Sequence, residues 1–292
     1  MKKMDDILAE LQERAQKMSL QPPNEIEQLG AVEYECDICK DTLIVFSHYD
    51  ERPSVSYEVF KDCECKERKA WRKRFKSAAI PEEFTKVTLE NYKQETEMQT
   101  LMLSMTEDYL TSFPANKKEL QEKGMENFGL IATLGEQRIR SAESESRSAL
   151  KTQHNSFGVG KTHLHIALSK RLIKLGFNVL IISDVEFTDD AMAAKRMNDD
   201  GETFSKLMHG VMNADILVWD DIGKAKPTEA KEMLYYNIIN ERYKKQMPIV
   251  FNSNEDRGTL ADRIGYAAQS RLIGRCGNYL MDAEGEDWRF KR

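Results

Sequence analysis

The segment Gly158-Val159-Gly160-Lys161-Thr162 carries the densest chemical signal in this 292-residue chain. Two glycines let a backbone curl until its N–H groups converge on an anion. A lysine placed after them can reach the β- and γ-phosphates of a nucleotide, and a threonine hydroxyl can hold Mg²⁺. The apolar pattern that starts at Lys161 predicts a helix to about Leu175, so the loop also offers a helix N-terminus to the anion. The bland alternative is a glycine turn that happens to cap a helix. Downstream, Ala214-Asp215-Ile216-Leu217-Val218-Trp219-Asp220-Asp221 reads as an apolar strand ending on two carboxylates. Beside a phosphate loop, Asp220 would orient the waters of the metal and Asp221 would polarise the attacking water. On its own such a pair is an ordinary strand-ending turn. A third apolar strand ends on Asn252-Ser253-Asn254. Ligands of parallel sheets bind at such ends, so Asn254, with Asn252 as the fallback, is placed to sense a γ-phosphate. Arg263, Arg271 and Arg275 follow in a helical stretch, each a candidate cation for transition-state charge or a plain surface residue.

The loop departs from the general pattern G-x-x-x-x-G-K-[ST] at Asn155, which stands where a glycine is usual; asparagine tolerates left-handed backbone better than most residues. A polar stretch at about 135–154, of mixed charge and without an apolar face, separates the strand at 128–134 from the loop that this strand should feed. It reads as an exposed insertion. Nucleotide binding is therefore expected, and hydrolysis is left open.

A second kind of chemistry sits near the N-terminus. Cys36-Asp37-Ile38-Cys39 and Cys63-Glu64-Cys65 form a CxxC and a CxC, while Cys276 stands alone. Four thiolates brought together suit tetrahedral Zn²⁺, which would stabilise a module too small for its own core. The alternative is four inert buried thiols, and His48 is a possible substitute ligand. After the last of these cysteines, Lys66, Arg68, Lys69, Arg72, Lys73, Arg74 and Lys76 interleave with Trp71 and Phe75. That run suits either a single-stranded nucleic acid or a solvated linker helix whose aromatics pack inward.

These groups need elements to hold them. A helix is expected over about 4–19, ended by Pro22-Pro23, and strand-like alternation runs from about 33 to 57. The domain boundary is placed at Ile80-Pro81-Glu82-Glu83-Phe84, giving a module at 1–79 and a larger domain at 80–292. In the latter, helices at 95–113, 161–175 and 228–245 alternate with near-continuous apolar strands at 128–134, 178–183, 216–219 and 248–251. Strands of that kind, separated by helices, predict a parallel sheet covered on both faces. With 40% hydrophobic and 32% charged residues the chain can bury a core, and its net charge of −6 excludes a global positive field for nucleic acid or anionic lipid. No apolar run is long enough to span a bilayer, and paired cysteines outside an oxidising compartment favour metal over disulfide, so a cytoplasmic protein with no membrane partner is expected.

With those motifs in place, the chain resembles the DnaC/DnaI-type replicative helicase loaders, phage-borne versions included, and their IstB-like relatives. The resemblance rests on the cysteine pairs ending in CECKERK, on IPEEFTKVTLENY, GVGKTHLHIAL and ILVWDDIGKAKPTE, and on IVFNSNED, SRLIGRC and GEDWRFK. It implies an AAA+ P-loop core of α/β class, with a parallel sheet between helices and no separate lid domain, behind a small N-terminal helical and zinc-binding domain. ATP and Mg²⁺ would sit at Gly158, Gly160, Lys161, Thr162 and Asp220, with Asp221 and Asn254 catalytic and Arg271 of Ser270-Arg271 as the arginine finger acting in trans. Zn²⁺ would be held by Cys36, Cys39, Cys63 and Cys65. The partners implied are a hexameric replicative helicase, single-stranded DNA and further copies of the chain through the AAA+ domain. Relatives pass straight from strand to glycine loop, so the insertion and Asn155 are this chain's own. An IstB-like transposition helper, a helicase-binding adaptor that no longer hydrolyses ATP and a zinc-dependent DNA-binding regulator are the rival readings.

Overall fold

The computed structural model describes residues 34–52, 55–66, 69–70, 74 and 78–290. The helix expected over 4–19 and most of the basic run, Trp71 and Phe75 included, lie outside the described residues. The chain divides into two compact units, Met1–Arg68 and Lys69–Arg292, so residues 69–79 count with the second. There Ala78 is fully buried, and its carbonyl accepts the Ile181 N–H at 3.1 Å.

In the first unit an antiparallel hairpin pairs β1 (Ile44–Arg52) with β2 (Val55–Asp62), Phe46 lying opposite Phe60. The two cysteine pairs flank it in sequence. The Cys63 N–H donates to the Leu43 carbonyl at 2.8 Å and closes the base of the hairpin.

The second unit is an α/β domain. Its elements are α1 (Glu97–Lys123), β3 (Phe128–Ala132), α2 (Glu136–Ser141), α3 (Ser144–Gln153), α4 (Lys161–Lys174), β4 (Val179–Ser183), α5 (Asp184–Ala194) and α6 (Glu202–Asn213). After these come β5 (Ile216–Asp220), α7 (Glu229–Lys244), β6 (Ile249–Asn252), α8 (Arg257–Ile264), α9 (Tyr266–Gly274) and β7 (Leu280–Ala283). The five strands form one parallel sheet in the order β4-β5-β6-β3-β7. Inner strands β3, β5 and β6 are buried almost throughout, whereas the edge strands β4 and β7 are buried only in part. Side-chain alternation divides the core accordingly. Phe128, Leu130, Ile216 and Val218 face α1 and α4, while Ile131, Leu217, Trp219 and Phe251 face the layer built from α5 to α9. Gly129 is required on that second face, because a Cβ there would lie 2.5 Å from the Phe251 ring.

Three local expectations change. The helix expected over 95–113 continues to Lys123, across a kink at Asn116 just beyond Pro114, where the proline withholds an N–H. The stretch after β6 is two helices, since Gly265 takes φ +88 between them. The insertion is a helix pair, α2 and α3, of whose residues only Ile139 is buried. Short-range bonds such as Arg140 to Glu136 and Ser141 Oγ to the Gln137 carbonyl (2.9 Å) sustain these helices without an apolar face. Among the described residues no helix is long and apolar enough to cross a membrane.

Candidate functional site

The sheet order sets the location. From β3 the chain crosses to the far edge at β4, and after β6 it crosses back over β3 to reach β7. A crevice therefore opens at the carboxyl ends of β3, β6 and β5, where α4 begins. Gly160 stands at the N-terminus of α4 with φ +99, and a Cβ there would meet the Tyr92 ring at 2.6 Å. Gly158, at φ +66, is equally crowded, by Asp287. Left-handed backbone and close approach both demand glycine at these two positions.

Lys161 is 5% exposed, and its Nζ donates to the Ser156 carbonyl at 2.6 Å and to Asn254 Oδ1 at 2.8 Å. Burial pushes its pKa down to about 8; Asp221 and Asp220 oppose that shift and Arg289 adds to it. An ammonium held this far from water has much to gain from a phosphate. Thr162 Oγ1 donates to Asp220 Oδ1 at 2.9 Å, and Asn252 Nδ2 donates to the same oxygen at 2.5 Å. Burial, then the neighbouring Asp221, raises the Asp220 pKa. Asn254 Nδ2 donates to Asp221 Oδ1 at 3.0 Å, so one side chain links Lys161 to the second carboxylate. Asp221 has φ +54, an uncommon conformation for a residue with a side chain. It is held by its N–H to Asn252 Oδ1 (2.8 Å) and by Lys224 Nζ to its carboxylate (2.6 Å).

The structure thus gathers Gly158, Gly160, Lys161, Thr162, Asp220, Asp221 and Asn254 in one place. Arg271 is elsewhere on its own chain. Its guanidinium lies over the rings of Tyr236 and Tyr243, with centroids 5.3 and 5.7 Å away, and Nη1 donates to the Ala267 carbonyl. Arg275 pairs with the buried Glu126 at 2.6 Å, which gives it a structural bond. Arg263 is the arginine of the three that faces this crevice. It donates to the Gly223 carbonyl at 2.7 Å and lines a cavity of about 320 Å³ together with Asp221, Lys224, Asn254 and, from the insertion, Glu136 and Arg140. A second cavity, about 230 Å³, lies on the Thr162–Asp220 side and is walled by Pro81, Phe84 and Phe187.

Sequence reasoning ranks Asn252 as a fallback, yet it is fully buried and bonds both aspartates, donating to the Asp220 carboxylate and accepting the Asp221 N–H. It missed His165 altogether. This imidazole is 1% exposed, its Nδ1 lies 3.2 Å from Asn252 Nδ2, and burial drives its pKa down to about 3. The polar position between the apolar residues Leu164 and Ile166 of the helix was the available signal. The insertion is anchored where it leaves β3. Gly135 N–H donates to Asp256 Oδ2 (2.8 Å), Glu136 N–H to the Asn254 carbonyl (2.9 Å), and Arg138 pairs with Asp256 at 2.7 Å.

In the first unit the four sulfurs of Cys36, Cys39, Cys63 and Cys65 lie within 4.8 Å of one another, all buried. Cys36 Sγ is 3.8 Å from Cys63 Sγ, and Cys39 Sγ is 3.3 Å from Cys65 Sγ. Sulfurs ~2.3 Å from a tetrahedral Zn²⁺ stand ~3.8 Å apart, so the donor set has the chemistry and the size of such a site. His48 lies on β1 outside this cluster, its Nδ1 3.2 Å from Ser47 Oγ.

Residues 152–273 match the family described as IstB-like ATP binding protein. The replicative helicase loader DnaC of Escherichia coli (strain K12) is 27% identical over 125 residues, 42% of this chain and 49% of that protein. The phage-like element PBSX protein XkdC of Bacillus subtilis (strain 168) is 23% identical over 291 residues, 97% of this chain and 93% of that protein. The chain spans about half the length of the first curated relatives it matches. A solved crystal structure of the DnaC helicase loader superposes with a TM-score of 0.51 at 20% identity, covering 70% of this chain and all of that one, and shares its fold.

Proposed function

We propose, from the match of residues 152–273 to the IstB-like ATP binding family and from the fold shared with the DnaC helicase loader, that the chain is an ATP-dependent loader of a hexameric replicative helicase onto single-stranded DNA. The observation that carries the nucleotide part is the continuous network Lys161–Asn254–Asp221 beside Thr162–Asp220–Asn252. In this reading the N–H groups around Gly158 and Gly160 and the Lys161 ammonium receive the β- and γ-phosphates. Thr162 and Asp220 hold Mg²⁺, which supplies neutralisation of phosphate charge when bound. Asn254 meets the γ-phosphate and keeps Asp221 aimed at the attacking water. Asp221 orients that water and takes its proton. Arg271, remote from its own site, serves the site of a neighbouring copy. Cys36, Cys39, Cys63 and Cys65 hold Zn²⁺, which ties the two ends of the hairpin together, and the module at 1–79 grips the helicase.

Two measurements test this. Binding of a fluorescent ATP analogue with Mg²⁺ should be lost in Lys161→Ala, with a change on the order of fifty-fold in affinity. Pull-down of a purified hexameric replicative helicase, with and without ATP, tests the loader reading, and no capture under either condition would sink it. The helix pair between β3 and the glycine loop favours a second reading, an adaptor that binds its helicase without hydrolysing ATP. Phosphate release at a rate no different from Asp221→Asn would select it.

A further inference from the structure

In the general design the phosphate loop is held at both ends, by the strand that runs straight into it and by the helix that follows. Here twenty residues bounded by Gly135 and Ser156 would leave the loop with one support, the start of α4, unless something else takes the load. (Positions 136–153 are the helix pair.) The residues that do so come after β7. That strand pairs in parallel with β3, Ala132 opposite Ala283, so the chain leaving β7 runs on beside the end of β3.

Every link from the loop to this segment is within bonding distance. The His154 ring nitrogen Nδ1 lies 3.0 Å from Glu284 Oε2, both side chains being partly buried. Gly285 N–H donates to the Asn155 carbonyl at 2.8 Å, and Asn155 Nδ2 donates back to the Gly285 carbonyl at 2.7 Å. The same amide nitrogen donates to the Phe157 carbonyl at 2.8 Å, while Asn155 Oδ1 accepts the Phe157 N–H at 3.2 Å. Trp288 N–H donates to the Gly158 carbonyl at 3.3 Å, and the Asp287 carboxylate fills the space where Gly158 has no Cβ. Asn155 thus fastens the loop to itself and to the segment at 284–288. A glycine in its place keeps only the backbone bond.

We propose that the segment 284–290 is the brace of the phosphate loop in this protein and that Asn155 is the positioning residue that couples the two. The departure from the glycine pattern is then the compensation for the insertion. The severed strand connection is replaced by a lateral one through β7, the neighbour of β3. Because preorganised N–H groups bind phosphate better than a loop that must first be ordered, the brace sets nucleotide affinity without touching the nucleotide. The inference rests on the nucleotide-binding reading above and adds to it what holds the loop.

The test pairs two readouts on the full chain, hydrogen exchange of the amides at 155–160 without nucleotide and equilibrium binding of Mg²⁺ and ADP. Asn155→Gly, which restores the general pattern, is expected to speed exchange at 155–160 and at Gly285 and to weaken ADP binding roughly tenfold. Exchange in α7 serves as the internal standard of an intact fold. Asn155→Asp keeps the size and the acceptor for Phe157 N–H but cannot donate, so it should behave as the glycine variant does. Unchanged exchange together with equal or tighter ADP binding in Asn155→Gly would overturn the proposal. A wild type that binds no ADP, with exchange still accelerated in Asn155→Gly, would leave the brace standing and remove the nucleotide reading. Lys161→Ala, which also frees the Ser156 carbonyl, is expected to lose ADP and keep wild-type exchange at the brace amide of Gly285, and so separates the two.

Discussion

Replacing Asn252 with leucine, a side chain of the same branching and number of heavy atoms, removes polarity from the site while keeping its shape. Asn252 is fully buried and makes two bonds that matter, Nδ2 to Asp220 Oδ1 at 2.5 Å and the accepted Asp221 N–H at 2.8 Å. A hydrogen bond to a carboxylate contributes about 1.5–3 kcal/mol, and a buried N–H left without a partner costs about 1–3 kcal/mol. Leucine returns about 1 kcal/mol through its apolar surface. The net expectation is a loss of roughly 2–4 kcal/mol. For a unit of the size of Lys69–Arg292, that corresponds to a fall in Tm of about 6–12 °C. Urea unfolding followed by circular dichroism measures the free energy directly. A second consequence is local: Asp220 loses one of the two donors that favour its charged form, Asn252 and Thr162, so its carboxyl becomes harder to ionise. The Mg²⁺ dependence of nucleotide binding should therefore shift to higher Mg²⁺. A loss under about 1 kcal/mol with unchanged Mg²⁺ dependence would refute the reasoning, because it would mean that neither the Asp220 carboxylate nor the Asp221 N–H relies on Asn252.

Two further outcomes follow from buried groups. His165 is held neutral, with a pKa near 3 against an ordinary value of 6.5, so below pH 6.5 the unfolded chain takes up a proton that the folded chain refuses. Stability should fall as the pH drops from about 6.5 towards 3, by on the order of 4 kcal/mol across the window, and His165→Gln should flatten that part of the profile. Zinc analysis of the purified chain should give one Zn²⁺ per chain. Cys39→Ser should lower that content and make the hairpin at 44–62 susceptible to limited proteolysis, with α7 and β6 still protected.

Much of the site is written in local sequence. GVGKT prescribes a left-handed glycine before a helix whose first residues are lysine and threonine, and that is the geometry at Gly160, Lys161 and Thr162. Strands β3, β5 and β6 were legible because strands covered on both faces need unbroken apolar runs. β7 was not, since an edge strand buried on one side only needs few apolar residues, and Leu280-Met281-Asp282-Ala283 has no clear pattern. Asn252 and Asn254 are two residues apart in one chain segment. Which of them contacts Lys161 depends on where β6 ends relative to α4, and the sequence contains no measure of that.

The insertion marks the same division. Composition alone established that residues 135–154 are polar and belong to no core, because folding cannot bury what is not apolar. The cysteine spacing near the N-terminus likewise points to a four-sulfur site, since CxxC and CxC constrain the backbone within each pair. Only the tertiary structure decided that the stretch is a helix pair closed at its base, that Arg263 and not Arg271 faces the crevice of its own chain, and that Asn155 is held by a segment 130 residues away. The physical reason is the same in each case. Bonds between neighbours in sequence are set by residue type, whereas a bond such as Asn155 to Gly285 exists because parallel pairing lays the end of β7 beside the end of β3.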